Sequence, residues 1–169
     1  SKNIFDFPAD QVLVDIGAYC LMPNHFHLLL HEKIENGISI FMQKLLTSYA
    51  KYFNAKYQRT GNLYESTFKA THLADDAYLQ YIYSYINLNP VKLIFPGWRK
   101  ENGPKNFDNL KAKKFIEGYE YSSHKDHLGV KRKESKIINK SAFPNYFESH
   151  SDFEEMLDFW LNYQEETAI

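Results

Sequence analysis

The sequence predicts an α+β sandwich in which helices pack against an antiparallel sheet, and three observations carry that prediction. Two β-type segments flank a Met22-Pro23-Asn24 break, which suits neighbouring strands. A five-turn apolar stripe follows, and then a tyrosine-rich run that stops at a proline. Strands and long helices mixed in this order favour helices laid on a sheet over an all-helical or all-β chain.

Along the chain, Ser1 to Asp10 contains Ile4-Phe5-Asp6-Phe7, a short apolar-aromatic remnant. Gln11 to Leu21 alternates Val12, Val14 and Ile16 and reads as a strand. The next strand holds His25-Phe26-His27 and then Leu28, Leu29 and Leu30. Strand alternation predicts that His25 and His27 project one way while Phe26 points into the core. After Asn36-Gly37, the residues Ile38, Phe41, Met42, Leu45, Leu46, Tyr49, Phe53 and Tyr57 trace a helical stripe, which Arg59-Thr60-Gly61-Asn62 breaks. Ser66 to Leu73 has β-branched and aromatic character and is expected to be another strand. From Asp75 or Asp76 as N-cap to Pro90 runs a helix of about four turns. Asn89-Pro90 and Pro96-Gly97 open an irregular, basic stretch. Ser151 and Glu154 suggest a capping box for a final helix with Phe153, Met156, Leu157, Trp160 and Leu161 on one face.

Bulk properties bound the class. The chain has 169 residues, 44% of them hydrophobic, enough for one core with an appendage. The expected organisation is a domain over residues 1–125 and a C-terminal extension over 126–169 carrying an acidic amphipathic helix. The single cysteine, Cys20, suits packing in a reducing compartment. With no signal peptide and no apolar run near 18 residues, the expectation is a cytoplasmic protein that does not engage membranes. Net charge is only −1, but it is divided unevenly. Residues 92–140 hold thirteen Lys or Arg against six acids, whereas 141–169 hold seven acids and no Lys or Arg. A polyanionic partner responds to the local basic patch rather than to the sum.

Two constellations carry chemistry. His25 and His27 lie two residues apart, so their backbones sit roughly 6.5–7 Å apart and both imidazoles can converge on one divalent cation. Taken alone, the pair fits partly exposed sheet residues as well as ligands. In the tyrosine helix, Tyr78, Tyr81, Tyr85 and Asn89 recur at three- and four-residue steps and share a face. A phenol there can serve as nucleophile while Asn89 lends its carbonyl oxygen to a metal. An amphipathic helix merely packed on a sheet accounts for the same spacing.

Together, "LMPNHFHLLL", "GISIFMQKLLTSYAKYFNAKYQRTGNLYESTFKA" and "YLQYIYSYINLNPVK" resemble the single-tyrosine HUH transposases with an IS200-like domain, particularly the REP-associated tyrosine transposase branch. The likeness runs from about Val14 to Lys92, with a weaker echo at Tyr119-Glu120-Tyr121-Ser122-Ser123. It implies a ferredoxin-like fold, His25 and His27 as the metal-binding pair, Tyr85 as the catalytic tyrosine and Asn89 as third ligand. It also implies cleavage and rejoining of single-stranded DNA near hairpins or palindromic elements through a 5′-phosphotyrosine, in monomers or in homodimers. Only 24 residues precede His25, fewer than the family pattern supplies. Either residues are absent from this chain or its sheet has lost a strand, which would leave the histidine strand in need of a partner subunit.

Two imidazoles and a carboxamide oxygen, without thiolate, suit Mg²⁺ or Mn²⁺. His31, two steps further along the strand, falls too far away for the same ion. Lys51, Lys56, Arg59 and Lys69, interleaved with Tyr52, Tyr57 and Tyr64, form a candidate surface for phosphates and unpaired bases. Two other readings stay open: a domesticated DNA-binding protein without turnover, and an unrelated metal hydrolase whose tyrosines are structural.

Overall fold

The computed structural model describes residues 11–100 and 103–163. Its frame is α+β: an antiparallel hairpin of β1 (Val14–Leu21) and β2 (Phe26–Glu32), with helices packed on it. The helices are α1 (Gly37–Lys56), α2 (Asp76–Leu88), α3 (Asn109–Gly118), α4 (His124–His127) and α5 (His150–Asn162). The Ile4–Phe7 segment lies outside the described residues. Among those described, no helix is long and apolar enough to cross a membrane.

The hairpin pairs Leu21 with Phe26, Cys20 with His27 and Ala18 with Leu29, and its register shifts between Ile16 and Ala18. Gly17 occupies that bulge because the Phe143 ring lies where a side chain would start, 2.8 Å from a Cβ built there. Ala18, Cys20 and Leu29 form one core with Tyr83 and Ile86 of α2. Since His27 and Leu29 share a face, the histidine face is the one that α2 covers. This corrects the expectation that Phe26 fills the core: Phe26 is half-buried and lies on the opposite side of the pleat. Both α1 and α2 contact the hairpin.

Helix α2 begins as its sequence dictates. Asp75 caps it by accepting from the Tyr78 N–H at 2.7 Å. At the other end, Pro90 has no N–H to continue the α ladder, and the chain tightens into a 3₁₀ turn over Asn89–Leu93. That turn starts a second core of Leu88, Val91, Phe95 and Trp98, closed by Ala112 and Ile116 of α3 and Phe153, Leu157 and Leu161 of α5.

Three expectations are corrected. Residues 66–73 form no strand: the segment is largely exposed, and among the described residues no strand pairs with it. The final helix is capped by Ser149 and Asp152, not by Ser151 and Glu154; the Ser149 hydroxyl accepts from the Asp152 N–H, and the Asp152 carboxylate accepts from the Ser149 N–H at 2.8 Å. The basic stretch is not wholly irregular, since α3 forms within it behind the Asp108 N-cap. The Tyr119–Ser123 segment runs along the edge of β1, where the Leu21 N–H donates to the Tyr121 carbonyl and Cys20 bridges Ser122.

Two histidines make the fold acid-sensitive. His124 and His127 are 5% and 7% exposed. Burial pulls His124 down to about 4 and His127 to about 3, reinforced by Lys125 and Arg132 around the first and by Lys140 beside the second. In the unfolded chain they titrate near 6.5. The unfolded state therefore binds more protons below that value, and stability is lost as pH falls through the window from 6.5 towards 4. Once each histidine's own window is crossed, the loss is on the order of 3 kcal/mol for His124 and about 5 kcal/mol for His127, whose window reaches down to about 3. Urea midpoints should fall between pH 6.5 and 5, where ordinary carboxylates stay ionised, and His127→Phe should flatten that slope. A midpoint constant over this range would contradict the assignment.

Candidate active site

The site forms where the tip of the hairpin meets α2. His25 precedes β2 and is held there by backbone pairing of its carbonyl with the Met22 N–H at 2.8 Å. Its Nδ1 lies 2.7 Å from the Asn24 side-chain oxygen, a contact that leaves Nε2 as the ring nitrogen open to a ligand. The His25 and His27 rings meet edge to face with centroids 5.0 Å apart. The His27 ring in turn meets Tyr85 of α2 edge to face at 5.3 Å. Residues 60 positions apart thus form one continuous row of rings.

The electrostatics of the row follow from its neighbours. Burial lowers His27 to about 4, helped by His25 and Lys92, so the imidazole is neutral near pH 7. Its Nε2 is buried and makes no hydrogen bond within the protein. Lys92, brought back by the 3₁₀ turn, places Nζ 3.5 Å from the Tyr85 hydroxyl and 4.8 Å from the ring centroid. The Arg99 guanidinium lies 5.7 Å from the same ring. The phenol therefore sits between a neutral imidazole and two cations.

Asn89 lies one turn beyond Tyr85 and is 1% exposed. Its backbone is still helical, which keeps it on the Tyr85 side of α2, and neither side-chain polar atom has a hydrogen-bond partner. Buried polar atoms left without partners are uncommon and are expected where a ligand supplies the missing contact. Cys20, cross-strand from His27, is no competitor for a cation: burial pushes its thiol up to about 12. His31 is exposed and lies 3.8 Å from Asp15, further along the strand. Among the described residues, no group of three or more His, Cys, Asp or Glu gathers as a metal site. A cation here would rest on two imidazoles and a carboxamide, a donor set that fits Mg²⁺ or Mn²⁺ with water completing the shell.

The other predicted contacts lie apart. Lys51, Tyr52 and Lys56 are exposed on α1, and Tyr57 and Arg59 follow at its end. Lys56 Nζ lies 5.6 Å from the Tyr52 ring centroid and 5.5 Å from that of Tyr57, while Arg59 lies 5.7 Å from Phe53. Tyr64 is half-buried in the connection to α2, with its phenol pushed up by burial, and Lys69 is exposed there. Lys56, Tyr52, Tyr57, Phe53 and Arg59 thus form a basic and aromatic cluster at the end of α1. Lys92 and Arg99 were not singled out from the sequence. The signal for Lys92 was its place two residues after the Asn89-Pro90 stop, where a tight turn reverses towards the helix.

No curated protein and no solved structure shows a significant match to this chain. A family model does: the one described as Transposase IS200 like matches residues 1–89. That stretch holds His25, His27, Tyr85 and Asn89, and it ends on the first residue of the turn that supplies Lys92. Because the match covers more than half of the 169 residues, the chain belongs to the IS200-like transposase family, whose members act on DNA.

Proposed function

We propose that this protein is a REP-associated type of single-tyrosine transposase that cleaves and rejoins single-stranded DNA near hairpins or palindromes, in the cytoplasm. The observation that carries the reading is the row His25–His27–Tyr85 with Lys92 against the phenol, inside an IS200-like domain. In this reading the Tyr85 oxygen attacks phosphorus and the bond from phosphorus to the 3′ oxygen breaks. The products are a 5′-phosphotyrosine and a free 3′-hydroxyl. The phenolic proton passes to water, and the departing 3′ oxygen takes one up. Lys92 holds positive charge beside the attacking oxygen, which offsets its approach to an anionic phosphodiester. His27, kept neutral by burial, has a ring lone pair to offer a cation. His25, His27 and Asn89 would hold Mg²⁺ or Mn²⁺, which when bound neutralises charge on the phosphoryl oxygens. The covalent link conserves the energy of the broken bond, so a second end can be joined by reversal without a nucleotide triphosphate.

The test is a pool of hairpin-bearing single strands with varied flanks, incubated with Mn²⁺ and resolved on a denaturing gel. A 3′-end label should move with the protein, and a 5′-end label should appear on a shorter strand that a polymerase can extend. Mass mapping should place the modified tyrosine at Tyr85. A complex seen only on native gels would favour a domesticated DNA-binding protein, and cleavage with no adduct would favour a hydrolase.

A further inference from the structure

Beyond the row at Tyr85, α2 and α5 enclose a second feature. Tyr78, Tyr81 and Arg99 on one side and Trp160 and Tyr163 on the other line an open groove of about 390 Å³. Tyr81 packs edge to face on Trp160 at 4.7 Å, and Trp160 meets Tyr163 at 5.2 Å. Tyr78 and Tyr81 stack with centroids 5.9 Å apart and planes 18° apart. Packing alone does not account for the cluster, because Tyr78 and Tyr163 remain 42% and 44% exposed.

The groove is continuous with the proposed nucleophile. Tyr81 and Tyr85 lie 6.1 Å apart, and Arg99 spans both rings at 5.4 and 5.7 Å while donating to the Tyr81 hydroxyl at 2.9 Å. From Tyr85 through Tyr81 to Tyr78 the helix rises about 10 Å. That length accommodates about two to three stacked nucleotides at about 3.4 Å each. Charge is graded along it. Lys92 and Arg99 lie against Tyr85 and Tyr81, whereas the rest of the groove lining, Tyr78, Trp160 and Tyr163, is aromatic. Phosphates are attracted at the Tyr85 end, and the aromatic wall beyond it suits bases rather than a backbone track.

We infer that this groove is a base-stacking subsite for the two or three unpaired nucleotides flanking the phosphate that Tyr85 attacks, with α5 supplying half of it. The inference rests on the cleavage reading for the strand's position, and its aromatic contribution from Trp160 and Tyr163 lies outside the matched residues 1–89. Stacking on faces of Trp and Tyr tolerates any base, so the subsite holds the strand in register without reading its sequence.

Trp160 gives a direct probe. The chain has two tryptophans, and Trp98 is buried against Phe107 at 5.6 Å, leaving Trp160 as the one lining the groove. Adding (dT)15 to the full chain should quench emission, and a 15-unit abasic sugar–phosphate strand should not. Tyr163→Ala and Trp160→Ala should each weaken (dT)15 binding about tenfold at fixed salt, with abasic-strand binding unchanged. Wild-type protein irradiated with 5-iododeoxyuridine strands should crosslink at Tyr78, Trp160 or Tyr163, a readout that survives if Trp160→Ala unfolds. Unchanged (dT)15 affinity in Tyr163→Ala and Tyr78→Leu, with crosslinks confined to α1, would overturn the inference. Should those variants bind normally while the Tyr85 adduct still forms, the subsite fails and the cleavage reading stands. Quenching and groove crosslinks without any adduct would support the subsite and remove the cleavage reading.

Discussion

Tyr85→Phe is expected to abolish the covalent protein–DNA product while leaving the fold and strand binding in place. Phenylalanine keeps the ring and therefore the edge-to-face contact with His27 at 5.3 Å and the packing on Tyr81 at 6.1 Å. It also keeps the face that Lys92 approaches at 4.8 Å. What disappears is one oxygen, the atom that would form the bond to phosphorus. Removing a covalent nucleophile typically costs roughly 10⁴-fold or more, so adduct should drop to background on a denaturing gel. The neighbouring tyrosines supply the controls. Tyr83 is 4% exposed on another face of α2, among His127, Phe143, Tyr146 and Phe147, and burial pushes its phenol up. Tyr83→Phe should therefore leave the adduct yield intact. Tyr81→Phe removes the acceptor for Arg99 and should reduce the yield without abolishing it. An adduct of full yield in Tyr85→Phe would end the assignment of this residue as nucleophile.

How far the sequence carried these assignments depends on the range of the interaction concerned. The hairpin, α1 and α2 were legible because their signals are local: alternation, an apolar stripe, an aspartate cap and a terminating proline. The expected strand at 66–73 failed because β-branched and aromatic content reports whether a segment suits a sheet, not whether a partner strand exists beside it. Helix α3 was hidden by its three lysines, although the Asp108 cap and the Ala112–Ile116 spacing mark it. The reversed pleat had a similar cause. A triplet reading His-Phe-His invites placing the aromatic inside, yet α2 covers the histidine face, and only the packing of a distant helix decides that. Lys92 and Arg99 reach Tyr85 through the turn after Pro90, and Trp160 reaches Tyr81 from 79 residues away. No periodicity encodes such contacts.

The same long-range logic predicts the largest loss of stability at Arg132, a residue far from the site in sequence. Its guanidinium grips Asp126 in a two-point ion pair, with Nε to one carboxylate oxygen at 2.8 Å and Nη2 to the other at 2.6 Å. It also donates to the Tyr19 hydroxyl at 2.8 Å and to the Glu120 carbonyl at 2.9 Å. The Asp126 side chain is 0% exposed and that of Arg132 only 10%. Arg132→Leu would strand a buried carboxylate, and breaking such a pair costs about 3–5 kcal/mol. For a chain of this size each kcal/mol shifts Tm by about 2–4 °C, so melting should fall by roughly 10 °C. Most of that cost is the orphaned charge rather than the lost attraction, so adding Asp126→Asn to Arg132→Leu should recover part of it. Arg132→Lys should not rescue, since an ammonium cannot make the two-point contact and still reach Tyr19. The consequence extends to the site: Tyr19 precedes Cys20, whose cross-strand partner is His27, and the loop that Arg132 clamps also holds Asn87 of α2 through Ser123. Loosening that clamp frees both the strand bearing the histidine pair's partner and the helix bearing Tyr85. Arg132→Leu with an unchanged urea midpoint would show that the loop is held by its apolar neighbours alone.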